Sequence, residues 1–184
     1  MNRTNHKHSL RAFSLLLAAA MAITLAGCSG NNTQEEMVSM YDLGKAMLSA
    51  DEEFPDMSTA LSSSDNAEDL FGYLSDMDYQ KVDGFFLGYS SEGKADEVAV
   101  ICTKSAADTK EAVKELNEHV QGRVSLYNTY SPEQVPRAES AEVFSNGRYA
   151  VLVISDHPEQ VKKAFSDFLT QAPEPKSEDR NPNK

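Results

Sequence analysis

The stretch Val82-Asp83-Gly84-Phe85-Phe86-Leu87-Gly88-Tyr89-Ser90 decides the fold, together with Asp96-Glu97-Val98-Ala99-Val100-Ile101-Cys102-Thr103-Lys104. Both runs are rich in aromatic and β-branched residues, and Ser91-Glu92-Gly93-Lys94-Ala95 between them is short, polar and Gly-containing. This pattern predicts a β-hairpin with a five-residue loop. A second hairpin is predicted over 141–145 and 148–155, because Asn146-Gly147 between them tolerates positive φ at both turn positions. Residues 98–102 and 149–154 are apolar on both faces and belong in the middle of a sheet, whereas 141–145 alternates like an edge.

Outward from these strands the period changes to that of helices. Thr33-Gln34-Glu35-Glu36 has the form of a capping box, and Met37, Met40, Tyr41, Gly44, Met47 and Leu48 follow the i, i+3, i+4 rule to about residue 50. Asp65-Asn66-Ala67-Glu68 is a second such box, opening a short helix through Leu70, Phe71, Tyr73 and Leu74, with Phe54-Pro55 as a break before it. Ser105-Ala106-Ala107-Asp108 is expected to cap a long helix with a stripe through Thr109, Ala112, Val113, Leu116, Val120, Val124, Tyr127 and Tyr130. Ser131-Pro132-Glu133-Gln134 restarts one turn, which Pro136 is expected to close. Asp156-His157-Pro158-Glu159 then caps a last helix with Val161, Ala164, Phe165 and Phe168 on one face. The prediction is an α+β domain, an antiparallel sheet of two β-hairpins with helices packed on it, in the order α-α-β-β-α-β-β-α.

The chain has 184 residues, 17 Lys and Arg against 29 Asp and Glu, and a formal net charge of −12. Arg3, Lys7 and Arg11 all precede the first acid, so the remainder is more acidic still. Such a balance excludes a nucleic-acid binder working by phosphate neutralisation, and it opposes electrostatic adhesion to anionic lipid.

The three early charges stand before a nearly unbroken apolar run over 12–25. Fourteen helical residues rise about 21 Å, short of a hydrocarbon core of about 30 Å. The segment therefore reads as the n-region and h-region of a secretory signal. Leu25-Ala26-Gly27-Cys28 behind it resembles the lipobox of bacterial lipoproteins. That resemblance implies cleavage of residues 1–27 before Cys28 and a diacylglycerol on the Cys28 sulfur. Two acyl chains, at about 0.8 kcal/mol per buried methylene, give durable anchoring. With Cys28 acylated, an intramolecular disulfide is excluded, and Cys102 is expected to be a small buried hydrophobe. Residues 28–32 then form a flexible tether, 33–171 the single α+β domain, and 172–184, with three prolines and no large apolar residue, a disordered tail.

The hairpin 83–101 together with Leu126-Tyr127-Asn128-Thr129-Tyr130-Ser131-Pro132-Glu133-Gln134-Val135-Pro136 is similar to the lipoproteins of Clostridia-type bacteria grouped as domain of unknown function 4358. The resemblance covers about 33–170. It implies a Gram-positive envelope, with the chain lipid-anchored at the outer face of the cytoplasmic membrane. It brings no catalytic residues.

The residues by themselves offer little chemistry. Glu111, Glu115 and His119 lie one helical turn apart, as on a solvated acidic face, and no Cys/His cluster has zinc spacing. Asp76-Met77-Asp78-Tyr79-Gln80 begins like a calcium loop. It fails at Lys81, where Gly is needed, and at Leu87, where a bidentate Glu is needed, leaving only a looser set of Asp76, Asp78 and Asp83. Gly88-Tyr89-Ser90-Ser91-Glu92 misses a nucleophile elbow at its last position, and Asp156-His157 falls within a helix cap. For binding there remain the Met37, Met40 and Met47 stripe and the aromatics Tyr73, Tyr79, Tyr89, Tyr127 and Tyr130 with Phe85 and Phe86, candidates for lining a carbohydrate or peptide groove. The expectation is a lipid-anchored extracytoplasmic binding or scaffolding domain without metal or other cofactor, its partner an envelope protein, peptide or glycan. The alternatives are an envelope hydrolase using convergent carboxylates, or a calcium-responsive module.

Overall fold

The computed structural model describes residues 39–171. The signal segment with Leu25, Ala26, Gly27 and Cys28, the tether, the cap at Thr33, Met37 and the tail from 172 lie outside the described residues.

The two predicted hairpins form, and they share one sheet. β2 (Val82–Ser90) pairs antiparallel with β3 (Glu97–Thr103), and β4 (Glu142–Asn146) with β5 (Tyr149–Ile154). β3 and β5 join them antiparallel, with Val98 opposite Val153 and Val100 opposite Val151. Gly147 sits at φ +58°, the left-handed conformation that the tight turn after Asn146 requires. A fifth strand, β1 (Met57–Leu61), was not expected and adds to β2, giving the order β1-β2-β3-β5-β4. The centre and the β4 edge fall where their hydropathy places them. The other edge is β1 instead of β2.

Alternation splits the sheet into two apolar faces, each covered by helices. Phe85, Leu87, Ala99, Ile101, Ala150, Leu152 and Ile154 share a core with Phe71 of α2 (Ala67–Phe71), Ala112, Leu116 and Val120 of α3 (Thr109–Tyr130) and Ala138 of α4 (Val135–Glu139). Phe86, Val98, Val100, Cys102, Val151 and Val153 meet Met40, Leu43 and Met47 of α1 (Met40–Leu48) and Val161 and Phe165 of α5 (Pro158–Gln171). Cys102 is 2% exposed, as its apolar neighbours imply.

Helix starts differ from their sequence signatures. Ser39 caps α1, its hydroxyl accepting the Asp42 N–H. Asn66 and Asp108 occupy the cap positions of α2 and α3 without a side-chain cap bond, and Asp108 instead accepts from Ser105 Oγ at 2.5 Å. Pro136 does not close a turn but stands in the first turn of α4, where an N–H would have no partner. The stripe of α3 is buried through Tyr127 and ends there, leaving Tyr130 77% exposed.

Asp156 does not cap α5 either. The segment before that helix is held by Asp51, which lies 3% exposed after α1. Asp51 Oδ2 accepts from Ser155 Oγ (2.8 Å) and the His157 N–H (3.3 Å), and Oδ1 from the Glu53 N–H (2.9 Å). Burial pushes its carboxyl up, but those three donors outweigh it and hold it below the usual carboxylate range. A carboxylate lowered in the folded state contributes stability that is present above its unfolded value and lost as pH falls through the folded one. Asp51→Asn should therefore cost about 2 kcal/mol at neutral pH. The gap to the parent should close below about pH 4 in urea titrations at stepped pH. A gap constant from pH 3 to pH 7 would refute the assignment.

Candidate functional site

A cleft of about 790 Å³ lies where the β2–β3 loop, α4, the start of β4 and the end of β5 meet. Gln134 ties two of these walls together by accepting the Ala95 N–H with Oε1 at 3.0 Å. Its charged heart is Arg137 of α4, 23% exposed in its side chain. The guanidinium donates through Nη2 to Asp156 and holds Nε 3.8 Å from Asp96 Oδ1. Burial pushes the Asp96 carboxyl above its ordinary value, and the nearby Arg137 charge only partly restrains it. Burial acts to lower Arg137, but the Asp156 hydrogen bond and the charges of Asp96, Asp156 and Asp51 prevail and raise it. Glu53, Glu133, Glu142 and Lys94 add further charge to the walls. Two of these are already engaged, Glu142 with Lys162 at 2.7 Å and Lys94 with Glu92 at 2.7 Å. The cleft thus presents a fixed polar surface in which acids outnumber bases. It suits a polar ligand carrying donors more than an apolar one.

The residues singled out from sequence do not converge. Met40 and Met47 are buried between α1 and the sheet, so their stripe is core. Tyr79 packs on Phe71 (5.3 Å between centroids) and Phe85 (6.3 Å). Phe85 and Phe86 face opposite sides of the sheet, so the aromatics cannot line one groove. Tyr73 and Tyr89 are exposed. Asp76, Asp78 and Asp83 each have a separate setting: the Asp76 N–H donates to Glu115, Asp78 accepts the Gln80 N–H, and Asp83 accepts from Arg148. Among the described residues no three His, Cys, Asp or Glu side chains are grouped as metal ligands. Asp156 binds Arg137 and not His157, whose Nε2 lies 3.5 Å from Glu53 at the surface.

What the sequence did not point to are Asp51, Asp96, Glu97, Arg123 and Arg137, while His119, expected on a solvated acidic face, is instead half-buried against Glu97 at 2.7 Å. One signal was present. Asp96-Glu97 places two carboxylates at the entry to a strand that is buried at every position, which charged residues tolerate only when paired.

The family model described as Domain of unknown function (DUF4358) matches residues 56–155, just over half of the chain. The chain belongs to the DUF4358 family. The match runs from the residue before β1 to the end of β5, so the DUF4358 region contains the whole sheet, α2, α3, α4 and most of the cleft. α1 and α5, which cover one sheet face, fall outside it. No curated protein and no solved structure matches the chain.

Proposed function

We propose that this DUF4358 chain is a lipid-anchored extracytoplasmic domain of the bacterial cell envelope that works by binding. In this reading the diacylglycerol on Cys28 holds it at the outer face of the cytoplasmic membrane, and the cleft around Arg137 takes a polar group of an envelope protein, peptide or glycan. The observation that carries the binding role is Arg137 itself, held between Asp96 and Asp156 in the cleft wall. An ion pair built this way fixes a polar pattern in advance, which favours recognition. It also commits both carboxylates, which a hydrolase would need to free for proton transfer. The hydrolase alternative has one observation in its favour, the upward push of burial on Asp96.

The test is a photo-crosslinking residue at Ser140, in the cleft wall, of the full chain in native membranes. The expected result is a discrete adduct that disappears with Arg137→Ala. With Cys28→Ala, an uncleaved, unlipidated precursor should accumulate and the adduct should be lost. Normal processing of Cys28→Ala would overturn the anchor. An adduct indifferent to Arg137→Ala would overturn the cleft, and hydrolysis of labelled wall material that Asp96→Asn abolishes would establish the enzyme instead.

A further inference from the structure

Asp51 and Asp96 are both buried, and the fold treats them differently. Asp51 takes hydrogen bonds from three donors and is held below the usual carboxylate range. The side chain of Asp96 is only 9% exposed, yet among the described residues no other residue donates a hydrogen bond to it. Arg137 Nε stands 3.8 Å from its Oδ1, a charge contact too long for a hydrogen bond, and its own N–H is the one backbone group that reaches it. Burial is therefore not offset, and the carboxyl is pushed above its ordinary value. Acceptors buried to this degree are ordinarily satisfied within the chain. This one lines the cleft, where a bound group can satisfy it.

The same cleft holds donors left over from other bonds. Arg137 uses Nη2 on Asp156, and its Nε is neither hydrogen-bonded nor enclosed. Gln134 accepts the Ala95 N–H with Oε1, which leaves the two N–H donors of its amide without a partner among the described residues. An open acceptor thus shares the cleft with open donors, and Glu53 and Glu133 add negative charge to the walls. An anion would be repelled by these acids. A cation would meet the Arg137 guanidinium next to Asp96 and leave the donors unused. An uncharged group that donates to Asp96 and accepts from Arg137 and Gln134 uses all of them.

Neighbouring hydroxyls on one ring meet this demand, because each is both a donor and an acceptor. A peptide backbone is the other uncharged candidate, but peptide recognition takes its specificity from pockets for side chains. The apolar residues lining this cleft are three prolines, Pro55, Pro136 and Pro158, and its other walls are polar. Its volume of about 790 Å³ falls within the range of small-ligand sites, about 300–1,000 Å³. We infer that the cleft binds a glycan through adjacent hydroxyls of a sugar ring, with Asp96 accepting from one hydroxyl and Arg137 and Gln134 donating to its neighbour. This rests on the reading of the cleft as a binding site and names what it binds.

The probe is envelope material from cells that lack this chain, mixed with the purified full chain carrying the photo-crosslinking residue at Ser140. One portion is untreated, one is digested with protease, and one is oxidised with periodate and quenched. Periodate cleaves the carbon–carbon bond between adjacent hydroxyls. The adduct is expected from untreated and protease-treated material and should be lost after periodate. Asp96→Asn keeps the shape of the side chain but replaces one acceptor oxygen by a donor, and it should lower the adduct yield about tenfold, the loss of one hydrogen bond to a charged group. Its Tm should equal or exceed the parent's, because a buried carboxylate without donors costs stability in the empty protein. An unchanged yield, or a lowered Tm, in Asp96→Asn would overturn the role of Asp96. An adduct that survives periodate would overturn the glycan, and its loss to protease instead would make the partner a peptide. In both of these cases an adduct dependent on Arg137 leaves the cleft reading standing, whereas no adduct from untreated material would overturn that reading and this one together.

Discussion

Glu97→Ala is expected to destabilise the fold by about 3–5 kcal/mol, the cost of breaking a buried ion pair from one side. Glu97 is 1% exposed, and its two oxygens face His119 Nε2 at 2.7 Å and Arg123 Nε at 3.3 Å. Arg123 Nε is already buried without an aligned hydrogen bond, so the Glu97 charge is what compensates it there. Truncation leaves that guanidinium facing the empty end of β3. The damage spreads along α3, because Arg123 lies 5.0 Å over the Tyr127 ring, whose hydroxyl donates to the Lys94 carbonyl at 2.8 Å. Removing the whole set with Glu97→Met, His119→Leu and Arg123→Met should recover most of the loss, since apolar packing replaces the desolvated charges. Urea unfolding followed by circular dichroism measures both. A loss below about 1 kcal/mol for Glu97→Ala would sink the assignment of Glu97 as the structural counter-charge.

The second large effect concerns how α1 lies on the sheet. A Cβ at Gly44 would sit 2.2 Å from the Phe86 ring carbons, so the helix backbone passes directly over that ring. Phe86 is fully buried, and Phe86→Ala should cost about 3–5 kcal/mol. Gly44→Ala should cost up to about 3 kcal/mol by overpacking, although alanine is the better helix former by about 1 kcal/mol. These two effects must couple. In the Phe86→Ala background the ring is gone, and Gly44→Ala should become neutral or stabilising. Additive losses in that double-mutant cycle would show that Gly44 is not there for close approach.

Much of this architecture is legible in the chain because its causes are local. The runs 98–102 and 149–154 are apolar at every position, which only a strand covered on both faces tolerates, and α1 with α5 on one side and α2, α3 and α4 on the other do cover them. Asn146-Gly147 states its turn outright. β1 was missed for the converse reason. Met57-Ser58-Thr59-Ala60-Leu61 has one β-branched residue and one buried side chain, and it is a strand because β2 offers it an open edge. The caps failed similarly. An acid before Pro158 looks like a cap for α5, yet Asp156 pairs with Arg137, and Asp51 reaches the His157 N–H from 106 residues away.

The candidate sites were illegible for the same physical reason. Asp96, Arg137 and Asp156 are ordinary surface residue types, one before β3, one on α4 and one after β5, and only the fold brings them together. Glu97, His119 and Arg123 lie on a strand and a helix whose facing depends on which side of the sheet α3 packs. Hydrophobic period and turn chemistry act between neighbours along the chain, so the sequence by itself determined the two hairpins, the helices α1, α2, α3 and α5 and the balance of charge. Tertiary structure alone decided which charges meet, because burial and Coulomb interaction depend on distance in space and not on separation along the chain.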